Sequence, residues 1–309
     1  PVVDLEQADP AELRKRAAKL QLESLGDREG MRSSLLAVLE DGEDAEALRA
    51  LAEDAESSGR AEDAADLLGR LIEVAPATER VELTLRQAGL LADGVGDIER
   101  ALDGYRWVRE REHGQPTALR ALARLLREAE EHLEAAEVLE ELLESAEGEA
   151  KLEVARSLAD LYEGSLDQPE DALRALEIVH GLDEEDFEAI ERLSVLSERL
   201  ERWEDFARYL ALLAEVEGDE EEVSRMTLRL AEVLTKELGR PEEALRVLGE
   251  VADLGDPPCR DEFVRLGDEL GKGGDVARKL VEWHLETSAS PARAEALRGA
   301  LERFVAEGA

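Results

Sequence analysis

One cysteine, four histidines and no asparagine occur in 309 residues, and aromatic side chains make up 3% of the chain. A lone thiol, Cys259, can form neither an internal disulfide nor a thiolate metal site, and its place after Pro257 and Pro258 reads as an inter-repeat turn holding a passive thiol. The histidines, His113, His132, His180 and His284, never fall at a spacing that puts two on one helix face, so they read as surface residues and no metal or cofactor is expected. Long apolar runs are missing too, which leaves secretion and membrane insertion without support. No stretch alternates with period two for long enough to form a sheet. The glycines around Lys272, namely Gly271, Gly273 and Gly274, follow no strand and miss the phosphate-loop spacing, so they read as a turn. Carboxylate pairs are so frequent that none is diagnostic, and no catalytic residue is assigned; the chain is not expected to be an enzyme.

What the chain does contain is a period. Ala18, Ala52, Ala88, Ala123, Ala159, Ser194, Ala231 and Gly267 follow one another at intervals of 34, 36, 35, 36, 35, 37 and 36 residues. Behind each comes an apolar triplet at offsets of four and seven, the spacing of one helical stripe. The triplets are Met31/Leu35/Val38, Ala64/Leu68/Leu71, Ala101/Tyr105/Val108, Ala135/Leu139/Leu142, Ala172/Leu176/Val179, Phe206/Leu210/Leu213, Ala244/Leu248/Val251 and Val276/Leu280/Trp283. Each unit therefore consists of a helix A, whose small residue permits close approach, and a helix B with a deep apolar stripe. Such a unit cannot bury its own face, so stacking on its neighbours completes the core.

The distance from small residue to triplet runs 13, 12, 13, 12, 13, 12, 13 and 9. The longer turns carry breakers: Gly26, then Gly94 and Gly96, then Gly164 with Pro169, then Gly239 with Pro241. Each of these prolines lies three residues before its triplet, where a first-turn proline loses no helical hydrogen bond. A pair of repeats, about 71 residues, reads as the unit of duplication. We expect one elongated all-α domain over residues 1–309, with repeats near 10–44, 45–78, 79–115, 116–148, 149–186, 187–219, 220–259 and 260–290 and a C-terminal helix over 291–306.

The pattern resembles the tetratricopeptide repeat family over nearly the whole chain. The matching residues are the small residue of helix A, the leucine before it (Leu51, Leu122, Leu158, Leu193, Leu230, Leu266), the alanine that opens the B stripe, and Pro76 at the end of a B helix. Leu48, Leu119, Ile190 and Phe263 partly replace the large residues usual in the first turn of helix A, whereas Thr84, Ala155 and Thr227 depart from the pattern. The resemblance implies a right-handed superhelical solenoid whose A helices line a concave groove that holds peptides or protein partners. Members that clamp a chaperone's C-terminal carboxylate resemble one another in using paired asparagines, which this chain lacks. A chaperone cofactor is therefore not expected.

Acidic side chains outnumber basic ones 77 to 38, for a net charge of −39. Nonspecific attraction to nucleic acid or anionic lipid is excluded for the molecule as a whole, and the carboxylates chiefly solvate exposed helix faces. Arginine far exceeds lysine, a bias that a GC-rich bacterial genome produces.

Against that charge stands a stripe of arginines. Residues three before, one after and four after the small residue lie opposite helix B; around Ala123 they are Arg120, Arg124 and Arg127, and Arg156 takes the first place in the next repeat. Guanidiniums on consecutive turns repel unless acids or a ligand compensate, and their planar fork suits carboxylate or phosphate. Pairing with Asp160 and Glu163 on the next A helix is the internal alternative; an acidic or phosphorylated peptide is the external one. A second basic patch, Arg14, Lys15, Arg16 and Lys19, lies on the first A helix, and Trp107 falls off its B-helix stripe, as an interface residue or a cover for the next repeat.

The segment after Pro291 reads as a cap or half-repeat that turns Leu297, Leu301 and Phe304 inward, and a chain that begins at Pro1 reads as part of a longer protein. Together these features describe a noncatalytic, cytoplasmic, monomeric scaffold or adaptor for a protein or peptide partner. The alternative, implied by the family resemblance, is a regulatory module that docks a small GTPase or a polar motility or secretion component.

Overall fold

In this computed structural model, residues 9–250 and 256–286 are described, together with 295, 298–299, 302–303 and 306. Among the described residues there are sixteen α-helices and no strand. Helix packing divides the chain into two units, Pro1–Glu147 and Gly148–Ala309. The first holds four A/B pairs: α1 (Pro10–Leu25) with α2 (Arg28–Leu39), α3 (Ala45–Ser57) with α4 (Ala61–Val74), α5 (Ala77–Gly89) with α6 (Ile98–Arg111), and α7 (Pro116–Glu128) with α8 (His132–Ser145). The second holds α9 (Gly148–Gly164) with α10 (Pro169–Leu182), α11 (Phe187–Arg199) with α12 (Trp203–Val216), α13 (Glu220–Lys236) with α14 (Pro241–Glu250), and α15 (Pro257–Glu269) with α16 (Gly273–Glu286).

Local chemistry sets the helix starts. Asp27, Asp44, Asp97 and Asp186 each accept the backbone N–H three residues on, satisfying a donor that the first turn leaves free. Prolines open α1, α7, α10 and α15, where no intrahelical donor is lost.

The two interlocking residue series form the core. All eight small residues are buried, and so is every described triplet member except Trp283, which is half-buried. Val251 lies outside the described residues. In the second unit Phe206, Leu210, Leu230, Ala244, Leu248, Phe263, Val276 and Leu280 make one continuous cluster.

The alternation in spacing has a backbone cause. Even repeats turn from A to B through one left-handed residue: Gly59, Glu130, Glu201 or Gly271. Each of these turns closes with the same bond, Arg60 N to Ala55 O, Glu131 N to Leu126 O, Arg202 N to Ser197 O and Lys272 N to Gly267 O, at 2.7 to 2.9 Å. Odd repeats place Gly26, Gly96, Asp167 or Gly239 in the left-handed region one residue later, after a longer A helix. In α5 the added length is a π-helical turn, Leu90–Val95.

This geometry corrects the eighth small residue. Counting back from the left-handed residue, Gly267 matches Ala55, and Val264 occupies the place of Ala52. The distance to the triplet is then 12, and the alternation is unbroken. Gly267 is small for a different reason: a Cβ there would sit 2.1 Å from Val276 Cγ2.

Three further expectations change. Cys259 is not in a turn; with Pro257 opening α15 it falls in the first helical turn, fully buried, its thiol directed at Ser224 O at 3.5 Å. His132 and His180 are half-buried instead of surface residues, and His180 packs edge-on against Tyr209 with ring centroids 6.0 Å apart. Gly273 and Gly274 belong to the first turn of α16, leaving Gly271 as the turn residue. Leu297, Leu301, Phe304 and the side chain of His284 lie outside the described residues.

Candidate partner-binding face

Within each unit the outward face of the A helices is laced by ion pairs between neighbouring helices. Lys15, Arg49 and Arg156, each three before its small residue, reach the first turn of the following A helix: Lys15 to Asp44 at 3.2 Å and Glu46 at 3.0 Å, Arg49 to Glu79, and Arg156 to Asp186 at 2.6 Å. One position on, arginines reach back to the preceding A helix: Arg86 to Glu56 at 2.8 Å, Arg192 to Asp160 at 3.0 Å and Glu163 at 2.9 Å, and Arg229 to Glu198 at 2.5 Å. Exposed pairs of this kind add little singly, so they organise the face more than they stabilise the fold.

Within that lattice the four stripe arginines divide. Arg156 is committed to Asp183 and Asp186, and Arg124 binds Asp93 at 2.8 Å and Glu128 at 3.3 Å. Burial works against the Asp186 carboxylate, but the Ala189 N–H and the Arg156 guanidinium hold it below the usual aspartate range. Arg120 and Arg127 are exposed and have no ion-pair partner among the described residues. They lie two turns apart on one helix, about 10 Å along its axis. Asp160 and Glu163, the acids expected to neutralise the stripe, are held by Arg192 instead.

The basic patch on α1 is also divided. Arg14 donates to Ala37 O at 3.0 Å and pairs with Asp41 at 2.5 Å, and Lys15 is shared by Glu12, Asp44 and Glu46. Lys19 approaches Glu23 at 3.9 Å, and Arg16 is exposed without a partner among the described residues. Trp107 is half-buried, with the Arg111 guanidinium stacked 3.8 Å from its ring centroid. Its other surroundings are a cleft of about 270 Å³ lined by Ile72, Leu91 and Gly104.

The pattern reading missed one charged centre. Asp54, with a side chain 4% exposed, accepts from Arg32 Nε at 2.5 Å and Arg60 Nη2 at 2.7 Å, with Arg28 at 3.8 Å. The signal was present: two residues after the small residue stand Leu90, Leu125, Leu161, Leu196 and Val233, all aliphatic, and Asp54 breaks the series.

No group of three or more His, Cys, Asp or Glu side chains is placed to hold a metal ion among the described residues, and no described helix is long and apolar enough to cross a membrane.

No protein-family model and no curated protein matches the chain. The solved structures it is similar to include tetratricopeptide repeat proteins. One, from Parabacteroides merdae, is 16% identical, covers 83% of this chain and 98% of its own, and superposes with a TM-score of 0.41. A second, YrrB, described as a tetratricopeptide protein with an unusual peptide-binding site, is 20% identical over 66% of this chain and 94% of its own, with a TM-score of 0.37. A third, MamA from Desulfovibrio magneticus, is 20% identical over 57% of this chain and 96% of its own, with a TM-score of 0.38.

Proposed function

We propose that this protein is a noncatalytic scaffold that binds a protein or peptide partner on its A-helix face, and that Arg120 and Arg127 receive acidic or phosphorylated side chains of that partner. One observation carries the reading. In a chain with 77 acidic side chains against 38 basic ones, two exposed guanidiniums on one face of α7 have no carboxylate partner among the described residues. Elsewhere on the A helices most arginines meet an acid, Arg16 and Arg80 being the exceptions. Among the described residues only α7 carries two unpaired guanidiniums on one face, so the gap reflects the placing of charges and not a shortage of them.

Arg124, between the two, is anchored by Asp93 and keeps the stripe in register without itself being free. A carboxylate or phosphate bound bidentately at Arg120 or Arg127 gains a charge-assisted hydrogen bond in a planar geometry that lysine does not offer. The surrounding negative potential repels acidic segments that lack a matching shape, and so supplies specificity.

The test is an array of synthetic peptides carrying Asp, Glu or phosphoserine at varied spacing, probed with the wild-type chain and with Arg120→Glu/Arg127→Glu. Binding that falls at least tenfold in the variant, and that weakens as salt rises, supports the site. Equal binding by the two proteins, with equal helicity, rejects it.

A further inference from the structure

Of the six clefts between consecutive A helices within a unit, four are spanned in one of two ways, and those between α1 and α3 and between α13 and α15 by neither. Between α3 and α5 the residue two before the small residue is Arg86, and it meets Glu56, four after the small residue of the previous helix, at 2.8 Å. Arg192 with Glu163 and Arg229 with Glu198 repeat that arrangement in the second unit. Between α5 and α7 the link comes one place over: Arg124, one after its small residue, meets Asp93, five after the previous one.

Between α1 and α3 the corresponding residues are Ala50 with Leu22, and Glu53 with Glu23. An alanine stands where Arg86 would be, and a glutamate stands where Arg124 would be. The space is an open cavity of about 350 Å³, lined by Leu22, Ala50, Met31 and Leu35 and by both glutamates. Met31 and Leu35 are buried core residues whose edges form its floor.

Four carboxylates and three cations line it, and Glu53 alone among them has no ion-pair partner among the described residues. Lys15 is committed to Glu12, Asp44 and Glu46. Arg28 faces Asp54 at 3.8 Å, and Asp54 is already satisfied by Arg32 and Arg60. Lys19, largely exposed, lies 3.9 Å from Glu23. Glu53 is exposed and has no cationic partner among the described residues. The cavity thus pairs an apolar floor with the carboxylates of Glu53, unpaired, and Glu23, met only by the exposed Lys19 at 3.9 Å, with Arg28 turned to Asp54. An arginine stem and head need such a floor and acid together.

We propose that the cleft between α1 and α3 receives an arginine side chain of a basic partner segment, which supplies in trans the guanidinium that Arg86, Arg192 and Arg229 supply in cis. The stem lies along Leu22 and Ala50 above Met31, and the head pairs with Glu53 and Glu23. Electrostatics favour such a partner twice, through the local pair of acids and through the net charge of −39. This subsite lies on a different pair of helices from Arg120 and Arg127 and takes the opposite charge, so either site stands without the other.

The two methionines of the chain make the test local, because Met31 floors the cavity and Met226 lies on α13 of the second unit. The full chain, labelled with ¹³C at the methionine methyls, is titrated with acetyl-Ala-Arg-Ala-amide and with the citrulline and norleucine counterparts. Saturable movement of the Met31 methyl with the arginine peptide, a fixed Met226 signal, and binding about five- to tenfold weaker for citrulline and for Glu23→Gln/Glu53→Gln support the proposal. Ala50→Arg, which restores the cis arginine, is expected to abolish the Met31 response while Met226 keeps its wild-type shift. An immobile Met31 signal, or equal responses to arginine and norleucine, or full binding by the double glutamine variant, overturns it.

Discussion

Glu130, between α7 and α8, holds the same left-handed backbone that Gly59 holds between α3 and α4, at φ 60° and 70°. The turns close with equivalent bonds of 2.8 and 2.9 Å, so fold geometry overrides residue preference at Glu130. A side chain in this conformation costs about 1 kcal/mol relative to glycine. A side chain at Gly59 would point into open space, so a substitution there meets the backbone cost alone. Gly59→Ala is expected to lower stability by about 1 kcal/mol and Glu130→Gly to raise it by up to a similar amount. Chemical denaturation checks both; shifts of the same sign would remove the equivalence of the turns.

Gly267 and Val276 form a matched pair, one without a Cβ and the other a β-branched residue at the place where five of the other repeats carry alanine. Gly267→Ala is expected to cost about 1–3 kcal/mol by overpacking. Val276→Ala makes room for the added methyl, so the double variant should recover much of the loss. A coupling energy near zero in the double-mutant cycle would mean that the two side chains do not meet.

Asp54 predicts a third outcome. Its carboxylate is buried beneath Arg32 and Arg60, which are about one-third exposed. Asp54→Ala leaves those guanidiniums facing a small apolar void, and water reaches them in part, so we expect a loss of roughly 1–3 kcal/mol. Asp54→Leu restores the aliphatic residue of the other repeats and is expected to lose less. Thermal unfolding that ranks leucine below alanine would contradict this account of the site.

The helix pairs were legible because burial repeats at helical spacing, and all eight small residues and nearly every triplet lie inside. The register of the last repeat was not, because Val264 is large and Gly267 is small for the sake of Val276; only the left-handed turn at Gly271 shows which residue corresponds to Ala52. Charge partners were the least legible. With acids at every turn, nothing in the sequence distinguishes Asp93, which binds Arg124, from Asp160, which binds Arg192. The cleft between α1 and α3 was readable in principle, from Ala50 and Leu22 standing where three other pairs of A helices carry arginine and glutamate, but only once the helices showed that those two places face each other.

Asp186 caps α11 through the Ala189 N–H and binds Arg156 at 2.6 Å, and together these hold its pKa below the ordinary aspartate value although burial pushes it up. A carboxyl group with a depressed folded-state pKa contributes stability above its unfolded pKa of about 3.9, and that stability is lost as pH falls through the lower folded value. Asp186→Asn keeps a side-chain oxygen for the cap but removes the charge. Because Arg156 is nearly half exposed, solvent screening limits the charge contribution to about 0.5–1 kcal/mol. The wild type should therefore exceed the asparagine variant by that amount near pH 7. The difference should shrink below about pH 4 and vanish once Asp186 is protonated. Urea unfolding of both proteins at a series of pH values measures this directly. A gap that stayed constant down to pH values of about 2 would assign the effect to cap geometry, and the Arg156 pair would then contribute nothing to the joint between α9 and α11.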